Sequence, residues 1–421
     1  MATTSTTPTP AEESARYPLS VVVWIFVAFA SAYFLSALLR AITATLSPVL
    51  TQELGLQARD LGLLAGGYFL GFSLTQLPMG RWLDTLGPRQ VVLRFLCVAV
   101  VGSLAFSWAQ DFSGLLLARV LIGVGVSACL MAPLTGYRRW LPLHQQQRAN
   151  SWMLMTGSFG MLASTLPVQW LLPLVGWRWI FVLLAGLVVL SMCLIYWRVP
   201  EWERTAPAEA PDQPREGLLA SYREVWQHPY FRRLSPMGFF NYGGMIAMQT
   251  LWAGPWMIRV TGETPLQAAT GLFWVNVAML ITFSLWGWFT PALFARGWDA
   301  NRLMRWGVPL NFVVQLLLII LGEGIGAVGW VLFCVSASVV ALAQPAVGMA
   351  FPNHLAGRAL SAYNLVLFLG VFVVQWGFGL LIDGAKALGA SEVEAFQQAL
   401  GIYLVTCVVS YLIFARGRDT T

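Results

Sequence analysis

Gly80-Arg81-Trp82-Leu83-Asp84-Thr85-Leu86-Gly87-Pro88-Arg89 is a short polar stretch between two long apolar runs. Its order is strict: Gly, three residues, Asp, two residues, Gly, one residue, Arg. The flanking runs are each long enough to cross a bilayer, which takes about 20 apolar residues.

The composition agrees. Apolar residues make up 57% of the 421 and charged residues only 10%, with a mean hydropathy of +0.67. A soluble domain carries about a quarter charged residues. The net charge of +6 follows the connections between apolar runs, so it reads as membrane topology and not as a nucleic-acid surface. Cys97, Cys129, Cys193, Cys334 and Cys407 are scattered through apolar stretches. They read as small packing residues, without the pattern of a disulfide framework or a metal site. His144, His228 and His354 fall in connections and share no metal-ligand spacing. No nucleophile, phosphate loop or carboxylate pair stands out, so an enzyme is not expected, nor a cofactor.

Twelve spans are predicted, over 20–49, 57–79, 90–109, 113–136, 150–173, 178–197, 234–257, 266–290, 302–321, 325–349, 359–382 and 396–415. Backbone polar groups in lipid must be satisfied within the segment, so the spans are helices and the fold is all-α. Residues 1–19 read as a disordered tail without the pattern of a cleaved signal peptide, 198–233 as a proline-rich linker, and 416–421 as a second tail. Two six-helix halves remain, 20–197 and 234–415. Of the 25 basic residues, nineteen lie beside the termini and the even-numbered connections. Arg59, Arg178, Arg259 and Lys386 lie on the other side, and Arg40 and Arg119 lie within spans. The positive-inside rule then puts both termini in the cytoplasm, of an inner membrane if the cell is bacterial.

The loop motif resembles the helix 2–3 connection of the major facilitator superfamily, and the resemblance extends over about residues 20–415. Gly287-Trp288-Phe289-Thr290-Pro291-Ala292-Leu293-Phe294-Ala295-Arg296 repeats it in worn form in the second half. Arg119, Gly123 and Gly125 match a helix 4 pattern of the family, and Gly176-Trp177-Arg178-Trp179 a helix 6 entry. The resemblance implies a transporter whose two halves rock about a central site. It also implies an inner latch built from Gly80, Asp84, Gly87 and Arg89, with Arg138 and Arg139 as partners and Asp84 facing the start of helix 11. Helix 5 offers Gly157-Ser158-Phe159-Gly160 where drug antiporters of the family carry Gly-Pro and two further glycines.

Arg40 sits about ten residues, roughly 15 Å, from the outer end of its span. An arginine at that depth costs at least about 2.5–3.5 kcal/mol unless an anion or water meets it. Pro48 follows eight residues later, a spacing that resembles helix 1 of the organic anion symporters. There the arginine binds the substrate's carboxylate or phosphate. A guanidinium suits both, because its planar fork donates two parallel hydrogen bonds. Helix 7 lacks the second arginine of the phosphate exchangers, which favours a carboxylate. Arg119, about 9 Å deep in helix 4, is expected either to share the anion with Arg40 or to be a structural arginine bonded to helix carbonyls. Tyr33, Asn241, Tyr242, Gln249, Gln344 and Asn364 are the polar candidates to complete the site. Trp252 with Gly254-Pro255 reads as an outer gate.

The sequence thus predicts a secondary active transporter of a small organic anion, monomeric, with the lipid bilayer and a coupling proton or sodium ion as its other partners. Efflux of an amphipathic compound, a drug or siderophore, is the rival within transport. A non-transporting membrane sensor or scaffold is the rival of another class.

Overall fold

The structure is a computed structural model, and it describes residues 17–202 and 218–417. The predicted tails at 1–16 and 418–421 and the linker prolines Pro207, Pro211 and Pro214 lie outside the described residues.

The described residues form twelve bilayer-length helices. Helix 1 is Leu19–Leu54, helix 3 Pro88–Trp108, helix 8 Pro265–Ala295, helix 9 Ala300–Leu321, helix 11 Asn353–Ala387 and helix 12 Glu392–Arg416. The others are interrupted. Helix 2 is Ala58–Leu74 continued by Gln76–Leu86, and helix 4 is Phe112–Val126 continued by Ala128–Trp140. Helix 10 is Ala327–Ala337 and Ala343–Met349 joined by a 3₁₀ turn. Helix 5 runs from Leu143–Ala163 into the first turns of Leu166–Arg198, and helix 6 is the rest of that segment. The corner between helices 5 and 6 is Gly176, at φ 76°. That conformation is open to glycine and costly for residues with a Cβ.

Helix starts follow local chemistry. Asp111 caps helix 4 through Gly114 N at 2.7 Å, and Asp299 caps helix 9 through Arg302 N at 2.6 Å. Thr264 and Ser391 open helices 8 and 12 with reciprocal capping boxes. Each satisfies backbone donors that a helix start leaves unpaired.

Helix 7 is the most broken. It starts at Pro229, inside the stretch read as linker, with proline's fixed φ in the first turn. It then carries π turns at Gly238–Tyr242 and Met248–Trp252. The second accommodates Pro255, which has no N–H to give the preceding turn. A further helix, Leu218–Gln227, packs on helix 11 within the linker.

Exposed tryptophans stand near the helix ends. Trp108, Trp170 and Trp179 mark one end of the bundle, and Trp197, Trp288 and Trp306 the other. This is the paired aromatic belt of an integral membrane protein. The end holding the described termini is called proximal here, the other distal. The halves meet along helices 2 and 11, 1 and 7, and 5 and 8. Toward the distal end the apolar core runs unbroken across them, from Leu61 and Leu64 to Trp252, Phe378 and Phe396. At the proximal end Phe231, Met304 and Tyr363 form a separate cluster of the second half. The halves are closed on each other distally.

Candidate functional site

Tyr33 and Arg40 are seven residues apart on helix 1, two turns along one face. Arg40 is half-buried as a residue, and its guanidinium lies within electrostatic reach of the hydroxyls of Tyr33, Tyr68 and Tyr242. Tyr68 comes from helix 2 and Tyr242 from the first π turn of helix 7. The ring of Phe72 lies 5.9 Å from the guanidinium carbon, and Cys129 of helix 4 also faces it. Among the described residues no carboxylate is paired with Arg40, and its Nε is buried without a hydrogen-bond partner. Tyr68 Oη donates to Ser36 O at 3.2 Å, so its proton is committed. Helix 5 makes room for Tyr33 at Gly157, where a Cβ would come within 2.5 Å of the ring. The Gly157–Gly160 stretch is thus a packing surface against helix 1.

Arg119 stands differently from the shared-anion expectation. It is 0% exposed, and its Nη1 donates to Leu39 O at 2.9 Å. Phe106 and Phe181 flank it at 5.2 and 5.8 Å. Its Nε and Nη2 are buried without a hydrogen-bond partner, and rings and one main-chain carbonyl have replaced water around it, so it is closed to a shared anion with Arg40 in this state. It is the carbonyl-bonded arginine, bracing the peptide next to Arg40.

The remaining candidates divide. Tyr242 joins Arg40. Asn241, one residue earlier, points into the second half and donates to Ser410 Oγ at 2.8 Å on helix 12. Gln249 donates to Asn276 Oδ1 on helix 8 at 3.0 Å, and Gln344 to Asn364 Oδ1 on helix 11 at 2.7 Å. These three tie helices together. Tyr68 and Phe72 were not singled out from the sequence. Their signal was the glycine-rich run Gly66-Gly67-Tyr68…Gly71, which marks helix 2 as a close-packing helix.

At the distal end Trp252 is buried, and its indole N–H donates to Gln375 O on helix 11 at 3.0 Å. Beside it Gly254 passes Ala44 O of helix 1, where a Cβ would sit at 3.2 Å, and Pro255 is buried. At the proximal end Asp84 is exposed and, among the described residues, has no hydrogen bond or ion pair. Although its surface is exposed, protein packed around the carboxyl raises its pKa somewhat from the ordinary value, opposed by nearby Arg138. Arg89 instead binds Glu201 at 3.1 Å and Tyr196 O at 2.7 Å. Trp202 packs on Gly87 and under Arg139, 4.5 Å from its guanidinium carbon, while Gly80 faces open space. The motif therefore holds the end of helix 6 here, with Asp84 unengaged.

A cleft of about 550 Å³ opens between helices 8 and 10 toward the proximal end. Phe283, Trp286, Phe294 and Leu342 line it, an apolar set away from Arg40. Among the described residues no cluster of His, Cys, Asp or Glu could hold a metal ion.

A family profile described as Major Facilitator Superfamily matches residues 29–374. A protein of Cupriavidus necator named probable sulfoacetate transporter is 25% identical over 39% of this chain and 38% of its own length. The D-galactonate transporter of Escherichia coli O6:H1 is 22% identical over 72% of each chain. A Citrobacter koseri protein named for multidrug resistance is 28% identical over 41% of this chain and 35% of its own. The chain thus spans well under half of the first and third relatives' lengths. Among solved structures, a bacterial homologue of the human lysosomal transporter Spinster, inward-facing and unoccupied, aligns at TM-score 0.77. It is 16% identical and covers 94% of this chain and 97% of its own, which is a likeness of fold.

Proposed function

This chain belongs to the major facilitator superfamily, and from that premise we propose that it is a secondary active transporter of small organic anions, carboxylates above all. Arg40 carries the reading. It is a permanent charge at membrane depth, half-buried among tyrosine hydroxyls, with an unpartnered Nε and, among the described residues, no carboxylate paired with it. A carboxylate supplies both the missing charge and acceptors for the fork. The hydroxyls of Tyr33 and Tyr242 lie within electrostatic reach of the same guanidinium. Tyr242 belongs to the second half and Arg40 to the first, so an anion bound between them favours states in which the halves approach. That differential affinity is what lets a ligand shift a conformational equilibrium. The proximal end is the cytoplasmic one on the positive-inside argument, and uptake is the direction assigned. The sulfoacetate and galactonate relatives are named for organic acids, which supports the substrate class.

A thermal-shift panel of small carboxylates, phosphates and drug-like cations on the purified protein tests this. A ligand that binds only the folded state at a hundred times its Kd adds about 2.7 kcal/mol of stability. Carboxylates should stabilise the wild type, leave Arg40→Ala unmoved, and act weakly on Arg40→Lys, whose ammonium lacks the fork. Equal stabilisation of all three by carboxylates would overturn the site.

Efflux of an amphipathic compound is the second reading. The apolar cleft lined by Phe283, Trp286 and Phe294, and the relative named for multidrug resistance, favour it. It predicts stabilisation by the drug-like cations that Arg40→Ala leaves intact.

A further inference from the structure

Asp383, near the distal end of helix 11, accepts the first backbone N–H groups of helix 2. Its Oδ1 takes Ala58 N at 3.2 Å and its Oδ2 takes Arg59 N at 2.8 Å. This carboxylate of one half caps a helix of the other. A helix start carries unpaired donors and a partial positive charge, so it favours an anion by about 0.3–1 kcal/mol. The seam beneath is built for contact. A Cβ on Gly379 would lie 2.4 Å from Ala58 O, and one on Gly62 2.4 Å from Gln375 O. Both clashes are with backbone, so only glycine lets helices 2 and 11 cross this closely.

The proximal ends of the same two helices show the opposite condition. Asp84, near the proximal end of helix 2, has no hydrogen bond or ion pair among the described residues. The start of helix 11 at Asn353 follows Pro352 and receives no side-chain cap. Each helix therefore carries, near its C-terminal end, a carboxylate that suits the N-terminus of the other. One of the two couplings is made and its counterpart is open.

We propose that Asp383 is a distal latch that holds the distally closed state, the counterpart of the inner latch that the loop-motif resemblance implies for Asp84. The new element is Asp383, which no feature of the loop motif assigns. The proposal rests on the alternating-access reading above. In each half-cycle one helix N-terminus exchanges its carboxylate for water while the other gains one. The charge interactions of the two states then nearly balance, and the anion decides between them.

Pulsed electron-electron distance measurement on spin-labelled full-length protein in nanodiscs tests the latch. Exposed Gln52 and Leu388 report the distal end, and exposed Thr85 and Arg296 the proximal end. Asp383→Asn should deplete the short distal distance by roughly two- to five-fold, the range of one helix-terminus charge interaction. Asp84→Asn should enrich it by a similar factor, and the double variant should return near the wild-type distribution. If Asp383 merely stabilised helix 2, Asp383→Asn would lower the melting temperature without moving the distances, and the latch would be overturned. A shift in the same direction as Asp84→Asn would overturn it too. A wild type with one fixed distance at each end, with and without substrate, would overturn alternating access along with the latch. A wild type that exchanges while Asp383→Asn leaves it unchanged would overturn the latch alone.

Discussion

Two arginines at membrane depth in this chain have opposite surroundings, and the contrast decides their roles. Arg40 is half-buried and faces tyrosines, whereas Arg119 is fully buried between Phe106, Phe181 and the Leu39 carbonyl. Sequence could find both, because charge inside an apolar run is visible as composition. It could not say which faces water, since that depends on the rotation of helix 4 against helices 3 and 6. The same limit applies to Asn241 and Tyr242, neighbours in the chain that point into different surroundings. Asp383 and Glu53 escaped notice for another reason: both lie just past the apolar runs, where acids are ordinary. Glu53 ends helix 1 and accepts the Trp177 indole N–H at 2.7 Å and the Arg178 guanidinium. That explains the Gly176-Trp177-Arg178 fragment as a clamp between helices 1 and 6. The Trp177 hydrogen bond first, then Arg178, hold the Glu53 carboxyl below its ordinary value of 4.5. A lowered folded pKa means the stabilisation is fully present above the ordinary value and is lost as pH falls through the lowered one. The melting temperature of the wild type should therefore drop more between pH 5 and pH 3 than that of Glu53→Gln. Equal pH dependence of the two would show that the clamp contributes nothing through charge. The glutamate is partly exposed, so the effect should be small.

Among the elements, helix 4 shows how a sequence pattern becomes geometry. Its Arg119, Gly123 and Gly125 were legible as a family pattern, but their work was not. A Cβ on Gly123 would lie 1.9 Å from Tyr68 O of helix 2, and one on Gly125 2.2 Å from Ala99 N of helix 3. The glycines seat helix 4 against both neighbours, and Gly123 sets the height of Tyr68 beside Arg40. Gly123→Ala should therefore destabilise the protein by about 1–3 kcal/mol, the usual range for overpacking a close contact. It should also weaken substrate binding, because the helix 2 backbone must shift at Tyr68. Denaturation in detergent and a binding titration check the two halves of that expectation. An alanine variant with unchanged stability would mean the helices are not in contact there. Spans were readable because length and apolarity suffice for them, whereas of the breaks only the interruption at Gly254-Pro255 in helix 7 was legible. The π turns of helix 7 depend on how Gly254-Pro255 and the neighbouring helices share backbone bonds, and nothing in their own composition announces them.

For the whole molecule, the distal seam is continuous and the proximal ends of the halves keep separate cores. That fits a carrier resting with its site reachable from the proximal face, one stage in rocking about a central anion. Among the described residues, the mid-membrane positions offer Arg40 no titrating carboxylate, and arginine itself stays charged. On the proposed function the coupling proton travels on the substrate, a proposal that follows from a protonated acid being cheaper to desolvate than its anion. The most direct test is uptake of a labelled small carboxylate, one that stabilises the purified protein, into proteoliposomes. The wild type and Arg40→Ala should be compared under an imposed pH gradient, with and without sodium. The account predicts wild-type flux that rises as external pH falls and needs no sodium, with flux by Arg40→Ala at the level of empty liposomes. Undiminished flux through Arg40→Ala would contradict it.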